Sequence, residues 1–302
     1  MGGGLARHEL AAAVSEAGGL GTIGFLDAER LRSELRAARA HTSRPLAVNL
    51  LLPFARNAHW AAAADADLVV TFWGPPERRS SQLWVHQCGS VDEARAAWTA
   101  GADGVIAQGR EAGGHVRGVV PALELLAAVR AALPGGYPVL LAGGMAQRAD
   151  VRRALEAGAA AAVLGTRFLL TYESRAHPQY KARLLDTHAT IRTELFGVGW
   201  PGSHRVAANA ATDRWLRGGA RGPLPVRLAH RLTAPLLARV PLAAQARMVS
   251  AQRPGLPLFS PTAPTDDGPA GLVEAGPLYA GESVARISEI RGAAAVVGEL
   301  AS

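Results

Sequence analysis

The sequence has little cysteine and no long apolar run. Its 302 residues include one cysteine, Cys88, which excludes an internal disulfide and a zinc site built from cysteines and is typical of a reducing cytoplasm. We predict no metal site. No uncharged apolar run reaches about 18 residues, and the chain does not open on a basic stretch followed by an apolar one. These absences predict a soluble, cytoplasmic protein without a membrane partner.

Charged residues are also scarce, at 19%, while 49% of the residues are apolar, a balance that predicts a folded globular protein. The net charge of +7 is local in origin, because nine arginines lie between residues 195 and 265 beside a single acid, Asp213. No nucleic-acid motif or aromatic stacking array accompanies them, so we expect no nucleic-acid partner. We interpret the arginines as a solvated surface. The alternative is a docking face for an anionic cofactor or an acyl-carrier thioester.

Short apolar runs alternate with helical patterns over the first 171 residues, joined by short loops. This alternation predicts parallel βα units. We predict seven strands, at residues 20–25, 46–51, 67–73, 83–87, 105–107, 137–142 and 161–164. A closed (β/α)₈ barrel needs eight strands, so the count is one short.

A glycine-rich loop follows the fifth predicted strand and surrounds a histidine, His115. Gln108 ends the strand, and the loop contains Gly109, Gly113, Gly114 and Gly118. Such a density of glycine lets the main chain approach a ligand closely. The alternative is a flexible loop carrying a solvated histidine.

Two further features point to a bound ligand. The last two predicted strands end in the turns Gly143-Gly144 and Gly165-Thr166. In (β/α)₈ barrels these loops often hold a phosphate through main-chain N–H groups, and the Thr166 hydroxyl adds a donor. In addition, Asn49 interrupts an apolar strand, where a buried amide either braces the structure or contacts a ligand.

The segments that carry these features resemble one enzyme family. They are VIAQGREAGGHVRG, LLAGGMAQRADVRRALEAGAAAAVLGTRFLLTYES, WPGSHRVAANA and LYAGESV, and they resemble the nitronate monooxygenases, formerly called 2-nitropropane dioxygenases. Flavin-dependent enoyl-ACP reductases and some NAD(P)H:quinone reductases share the same FMN-bearing barrel. The resemblance implies a TIM-type (β/α)₈ barrel and FMN as the cofactor.

The resemblance also implies roles for individual residues. His115 would face the substrate at the flavin, where a histidine can accept an α-proton or donate to a nitro or carbonyl oxygen. Asn49 and Gln108 would hydrogen-bond the flavin. The other implied cofactor-binding residues are Gly113 and Gly114 near the flavin, and Gly143, Gly144, Val163, Leu164, Gly165 and Thr166 around the phosphate.

Family members normally begin with an apolar strand that ends in a Pro-Met-Gly-Gly-like turn, and this sequence begins at the methionine of that turn. We therefore expect the first barrel strand to be missing, through a misassigned start or an open or patched barrel, which puts cofactor contacts from Met1 and Gly2 in doubt. Residues 1–171 are interpreted as the FMN-binding barrel, 172–277 as a helical lid with a long loop, and 278–302 as a segment whose helix, at residues 283–300, packs back on the barrel. Candidates for the substrate pocket are Trp200, His204, Trp215 and Tyr279, although core packing is the more usual role of such residues.

The function that the resemblance implies is FMN-dependent oxidation of alkyl nitronates, formed from nitroalkanes, by O₂ to carbonyl compounds and nitrite. Its partners would be a small-molecule substrate and O₂, and a homodimer is possible. One alternative is an NAD(P)H-dependent flavin reductase of enoyl thioesters or quinones. The other is a non-catalytic flavin- or phosphate-binding barrel.

Overall fold

A curled parallel sheet of seven strands forms the centre of the molecule. The computed structural model describes residues 2, 4–237, 249–256 and 260–301. The strands are β1 (Gly21–Ile23), β2 (Leu46–Leu51), β3 (Leu68–Phe72), β4 (Leu83–Cys88), β5 (Gly104–Gln108), β7 (Val139–Ala142) and β8 (Ala162–Val163). They lie in that order across the sheet, and all neighbours pair in parallel. The seven predicted strands are confirmed, although β1, β3, β7 and β8 are shorter than predicted.

Helices cover the outer face of the sheet and connect its successive strands, except that β3 and β4 are joined without a helix. They are α1 (His8–Glu16), α2 (Ala28–His41), α3 (Asn57–Ala62), α4 (Val91–Thr99), α5 (Ala122–Ala132), α6 (Arg148–Glu156) and α7 (Thr166–Leu169). Local sequence sets where they begin: the Asp27 carboxylate accepts from the N–H of Arg30 at the start of α2, and the Ser90 hydroxyl accepts from the N–H of Glu93 at the start of α4. Each cap satisfies an N–H group that would otherwise lack a partner.

Side chains alternate between the two faces of the sheet, as the strand geometry requires. The outer face packs under the helices, with Trp84 and Val105 in a cluster that includes Leu126 of α5. On the inner face, Val70, Val85, Ile106 and Ala142 form a smaller apolar cluster. The polar residues at the carboxyl ends of the strands lie next to this inner apolar cluster.

The seam between β1 and β8 is the place where an eighth strand would close the barrel. In the described part of the chain no strand pairs with the outer edge of either β1 or β8. Residues 5–7 run beside this seam: the Ala6 carbonyl accepts from the N–H of Gly24, and the Leu5 carbonyl accepts from the N–H of Arg175, both at 3.0 Å. Outside the seam, Leu10 of α1 packs with Val297 near the carboxyl end of the chain.

A second, antiparallel sheet joins the glycine-rich loop to distant parts of the chain. Its strands are β6 (Gly114–His115), β9 (Ile191–Thr193), β10 (His204–Ala207) and β11 (Leu278–Tyr279). β10 pairs with the other three, and its His204 lies opposite His115. The loop of His115 is therefore held by strand pairing rather than left flexible.

The segment at residues 172–277 contains the helices expected of a lid and also strands that the sequence did not predict. The helices are α8 (Pro178–Leu185), α9 (Ala210–Trp215), α10 (Leu224–Leu237) and α11 (Leu272–Ala275). The unpredicted strands β9 and β10 attach this segment to β6. Arg239 and Arg247 of the arginine-rich stretch, and Met1, lie outside the described residues.

The helix predicted at residues 283–300 is wrong in its first half. The structure has a short 3₁₀ helix at Glu282–Arg286 and a separate helix, α12 (Ala293–Ala301). Between them the chain runs extended, because the main chain of Arg291 exchanges hydrogen bonds with Leu170 and Tyr172. These long-range bonds replace the intrahelical ones.

Two findings bear on the expectations drawn from absent features. Among the described residues, no helix combines the length and apolarity needed to cross a bilayer. Cys88 is free and buried, and burial raises the pKa of its thiol far above the usual value. Its thiol is therefore protonated and unreactive at neutral pH.

Candidate active site

A cavity of about 250 Å³ opens at the carboxyl ends of the parallel strands. In parallel α/β sheets and barrels this is the end where ligands bind. The cavity is lined by all eleven predicted site residues: Asn49, Gln108, Gly113, Gly114, His115, Gly143, Gly144, Val163, Leu164, Gly165 and Thr166. Gly2 also lies on its wall.

The turn after β7 is formed by two glycines with positive φ angles. Gly143 and Gly144 have φ angles of 119° and 71°, a left-handed conformation that residues with a Cβ rarely adopt. The side chain of Arg286 holds this turn from outside, donating to the Gly144 carbonyl at 2.6 Å and to the Asp150 carboxylate at 2.7 Å. Arg286 was not predicted, since its only sequence signal is a basic residue in the LYAGESV-containing segment.

The turn after β8 is joined to the carboxyl-terminal segment. Gly165 precedes α7, and the Thr166 hydroxyl accepts from the N–H of Gly281 at 2.9 Å. This bond uses the oxygen of Thr166 as an acceptor and leaves its hydroxyl proton available to a ligand. Gly113 also contacts this segment: a Cβ there would lie 2.5 Å from the nitrogen of Gly281, so a larger residue would displace the wall of the cavity.

Three side-chain amides lie in the carboxyl-terminal halves of β2, β4 and β5. Asn49 on β2 and Gln87 on β4 are half-buried and line the cavity. Gln108 on β5 lines it too, but its nitrogen donates to the His115 carbonyl at 3.0 Å and its oxygen accepts from the N–H of Arg117 at 3.0 Å. Gln87 was missed, although it closes an apolar strand just as Gln108 does.

His115 is buried and lines the cavity. Its Nε2 atom is buried and has no hydrogen-bond partner in the described structure. Burial and the neighbouring His204 lower the pKa of His115 well below its ordinary value, and a hydrogen bond with the main chain of Trp200 opposes the shift only in part. The imidazole is therefore neutral at physiological pH. Because Nε2 has no partner, we assign the main-chain contact to Nδ1, which leaves a lone pair on Nε2.

Aromatic rings close around this imidazole. The Trp200 ring stacks on it, with centroids 3.6 Å apart and an interplanar angle of 7°. Trp73 meets both rings edge-on, and Phe54 meets the Trp200 ring edge-on. Trp73 has a φ angle of 63°, which is strained for a bulky residue and is typical of functional sites. The place of Trp73 beside His115 was not predicted from the sequence.

Of the four residues that the sequence suggested for the substrate pocket, two line the cavity and two do not. Trp200 and Tyr279 line the cavity. His204 lies opposite His115 in the second sheet. Its Nδ1 donates to the Gly202 carbonyl, and its Nε2 accepts from the N–H of Phe196. Burial lowers the pKa of His204 to about 4. Trp215 lies in a separate apolar cluster, where its indole donates to the Pro254 carbonyl.

These residues fit a flavin nucleotide. Left-handed glycine turns can receive a phosphate, side-chain amides can bond the edge of a flavin ring, and an unpartnered buried nitrogen marks a place where a ligand completes the structure. Each of these features is present on the wall of the same cavity.

Solved structures with the same architecture identify the class. The nitroalkane oxidase of Streptomyces ansochromogenes is 30% identical, with a TM-score of 0.75 over 100% of this chain and 92% of that one. FabK of Thermotoga maritima is 27% identical, with a TM-score of 0.74 over 100% of this chain and 90% of that one. The protein is a flavin-dependent oxidoreductase built on a TIM-type barrel.

The family follows from the sequence profile. The profile of nitronate monooxygenases matches residues 1–73 and 76–259. The chain therefore belongs to the nitronate monooxygenase family. It is 36% identical over 249 residues to the nitronate monooxygenase of Pseudomonas aeruginosa, an alignment that covers 64% of this chain and 70% of that protein.

Proposed function

We propose that the protein uses FMN and O₂ to oxidise alkyl nitronates, formed from nitroalkanes, to carbonyl compounds and nitrite. The observation that carries this proposal is the Nε2 atom of His115, which is buried and unpartnered in the described structure and belongs to a residue that lines the cavity. A neutral imidazole so placed can take a proton from a carbon acid. Membership of the nitronate monooxygenase family supports the same chemistry.

FMN would lie along the carboxyl ends of the strands. The turns at Gly143-Gly144 and Gly165-Thr166 would hold its phosphate, with Val163 and Leu164 beside it, and Gly113 and Gly114 would border the flavin. Asn49 would bond the flavin edge, while Gln108 would act mainly by fixing the His115 loop. When bound, the flavin supplies the electron transfer between substrate and O₂.

His115 would prepare the substrate. The α-proton of a nitroalkane moves to Nε2, the electron pair of the broken C–H bond forms the C=N bond of the nitronate, and negative charge collects on the two oxygens. The Trp200 main-chain contact holds the imidazole in the tautomer that accepts at Nε2. The surrounding rings of Trp73 and Trp200 keep water away from the anion.

Aerobic turnover tests the proposal. The flavin-loaded protein, supplied with the nitronate of 2-nitropropane, should consume O₂ and release nitrite and acetone. The flavin that is released when the protein is denatured should be FMN. Absence of nitrite formation by protein with full flavin occupancy would contradict the assignment.

A second candidate is an NAD(P)H-dependent reductase of enoyl thioesters or quinones. It is favoured by the likeness to FabK, an enoyl-ACP reductase, over the whole chain. Exposed arginines of the lid segment, such as Arg217, also suit an anionic ligand. Rapid anaerobic bleaching of the flavin by NADH or NADPH would support this candidate. Bleaching by a nitronate alone would support the first.

A further inference from the structure

The indole N–H of Trp200 is a buried donor that has no partner in the described structure. Burying such a group without a hydrogen bond is unfavourable. Two other indoles of the chain have partners: the Nε1 atom of the buried Trp84 donates to the Thr71 hydroxyl at 2.7 Å, and the Nε1 atom of the half-buried Trp215 donates to the Pro254 carbonyl at 2.8 Å. The unpaired donor of Trp200 therefore calls for an explanation.

The surroundings of this donor point to a ligand. Trp200 lines the cavity, and its ring stacks on His115, whose Nε2 atom also lacks a partner. Two unpaired nitrogens of opposite character thus stand on adjacent, parallel rings: a fixed donor on the indole and an acceptor on the imidazole. Trp60 is the contrasting case, since its unpaired indole lies in an apolar core cluster and not on the cavity wall.

We propose that Trp200 completes a subsite for a planar two-oxygen group, in which its indole N–H donates to one oxygen of a nitro or nitronate group while Nε2 of His115 faces the α-carbon. This inference rests on the proposed function. A donor aimed at the oxygen makes the α-carbon more acidic, because negative charge collects on that oxygen as the proton leaves for Nε2. Such a bond strengthens in the transition state.

The stacked ring would help in the same step. Taking the proton turns His115 into an imidazolium, which burial disfavours. An indole face stacked against the imidazolium attracts its charge through the ring quadrupole. Trp200 would thus support the anion through its N–H group and the cation through its face.

The matched variant is Trp200→Phe, which keeps an aromatic ring beside His115 and removes the donor. The probe is propionate, whose carboxylate has the shape of the nitro group of nitroethane, bound to the oxidised, FMN-loaded protein and followed by the change in flavin absorbance. Hydrogen bonds to charged groups change affinity by about tenfold or more. We therefore expect the propionate Kd of Trp200→Phe to rise by about tenfold or more. The control, Trp60→Phe, removes an unpaired indole N–H elsewhere and should leave the Kd within about twofold.

A second measurement keeps the inference testable if Trp200→Phe folds poorly. In protein labelled with ¹⁵N-tryptophan, propionate should move one indole N–H resonance of the parent strongly downfield, as a new hydrogen bond requires. An unchanged Kd in folded Trp200→Phe, or no indole resonance moved by propionate, would overturn the inference.

These outcomes are separate from those of the proposed function. Propionate binding involves no turnover, so a protein that does not oxidise nitronates can still show the loss in Trp200→Phe and support the subsite. Conversely, nitrite formation with unchanged propionate binding in Trp200→Phe would sink the subsite and leave the proposed function in place.

Discussion

The Gln108 side chain holds His115 through the main chain, donating to the His115 carbonyl at 3.0 Å while accepting from the N–H of Arg117 at 3.0 Å. Both groups of one amide are thus used on the loop that carries the proposed base. Gln108 is 4% exposed, so neither loop group has ready access to water when the amide is removed. The residue implied to be a flavin ligand therefore also positions the loop of the proposed base.

Replacing this amide should loosen the loop. Gln108→Leu has a similar size and leaves one buried donor and one buried acceptor unpaired, so the free energy of unfolding should fall by about 1–3 kcal/mol. Turnover should fall by about 10- to 100-fold because the imidazole is no longer held in place. Urea unfolding and steady-state kinetics measure the two effects.

The control for this change is Gln82→Leu, which breaks the hydrogen bond of an exposed amide to the Ala64 carbonyl. Its stability should stay within about 0.5 kcal/mol of the parent. If Gln108→Leu loses FMN while its stability and its loop are unchanged, then Gln108 is a cofactor ligand and not a brace.

The phosphate turn can be tested with a matched pair of glycines. Gly144 (φ 71°) and Gly136 (φ 81°) are both left-handed, but only Gly144 lies on the cavity. A valine at either position is strained, by on the order of 1–3 kcal/mol. We expect Gly144→Val to lose FMN and Gly136→Val to retain it, as judged by flavin absorbance. Because a Cβ at Gly144 would also lie 3.2 Å from Glu111 while the space at Gly136 is open, thermal unfolding is measured alongside to show that both variants are folded. Equal FMN retention in the two variants would place the phosphate elsewhere.

The parts of the structure that the sequence predicted are local. The seven strands follow from apolar runs, and the cavity residues after β5, β7 and β8 follow from glycines and amides at strand ends, because the carboxyl ends of parallel strands meet at one edge. The second sheet could not be predicted in this way. β6 has two residues, and its pairing places His115 opposite His204, far away in the sequence.

The aromatic rings around His115 could not be predicted from the sequence for the same reason. Trp73, His115 and Trp200 come from three separate segments of the chain. Their contacts belong to the tertiary structure, in which β10 pairs with the glycine-rich loop. The prediction of a helix at residues 283–300 was wrong for a related reason. Its local pattern is helical, but tertiary hydrogen bonds of Arg291 hold part of it extended.

The stability of the fold should depend on pH through His204. Burial lowers the pKa of His204 to about 4 in the folded protein, against 6.5 in the unfolded chain. Between these values the unfolded chain binds the proton more tightly, so the free energy of unfolding falls as the pH drops from 6.5 to about 4. The loss from this residue is on the order of 3 kcal/mol, and below about pH 4 it stops growing.

Urea unfolding at several pH values measures this dependence. His204→Gln should lower stability at neutral pH, since buried hydrogen bonds are lost, but should flatten the slope between pH 6.5 and 4. His188→Gln, at an exposed position, should keep the slope of the parent. A His204→Gln slope as steep as that of the parent would assign the acid sensitivity to other buried histidines, such as His86, whose pKa burial also lowers to about 4.

Comparing two forms of one substrate distinguishes whether His115 acts as a base or only binds the anion. If its Nε2 atom is the base for the neutral nitroalkane, His115→Asn should keep FMN but slow turnover of the nitroalkane by about 10²- to 10⁴-fold. The preformed nitronate has already lost its α-proton, so its turnover should fall much less. Steady-state kinetics on both forms, with FMN occupancy measured alongside, gives the comparison. A histidine that only binds or orients the anion would produce the reverse pattern, with nitronate turnover falling at least as far. Equal losses on the two forms would likewise remove the base assignment, because proton removal is the only step that distinguishes them.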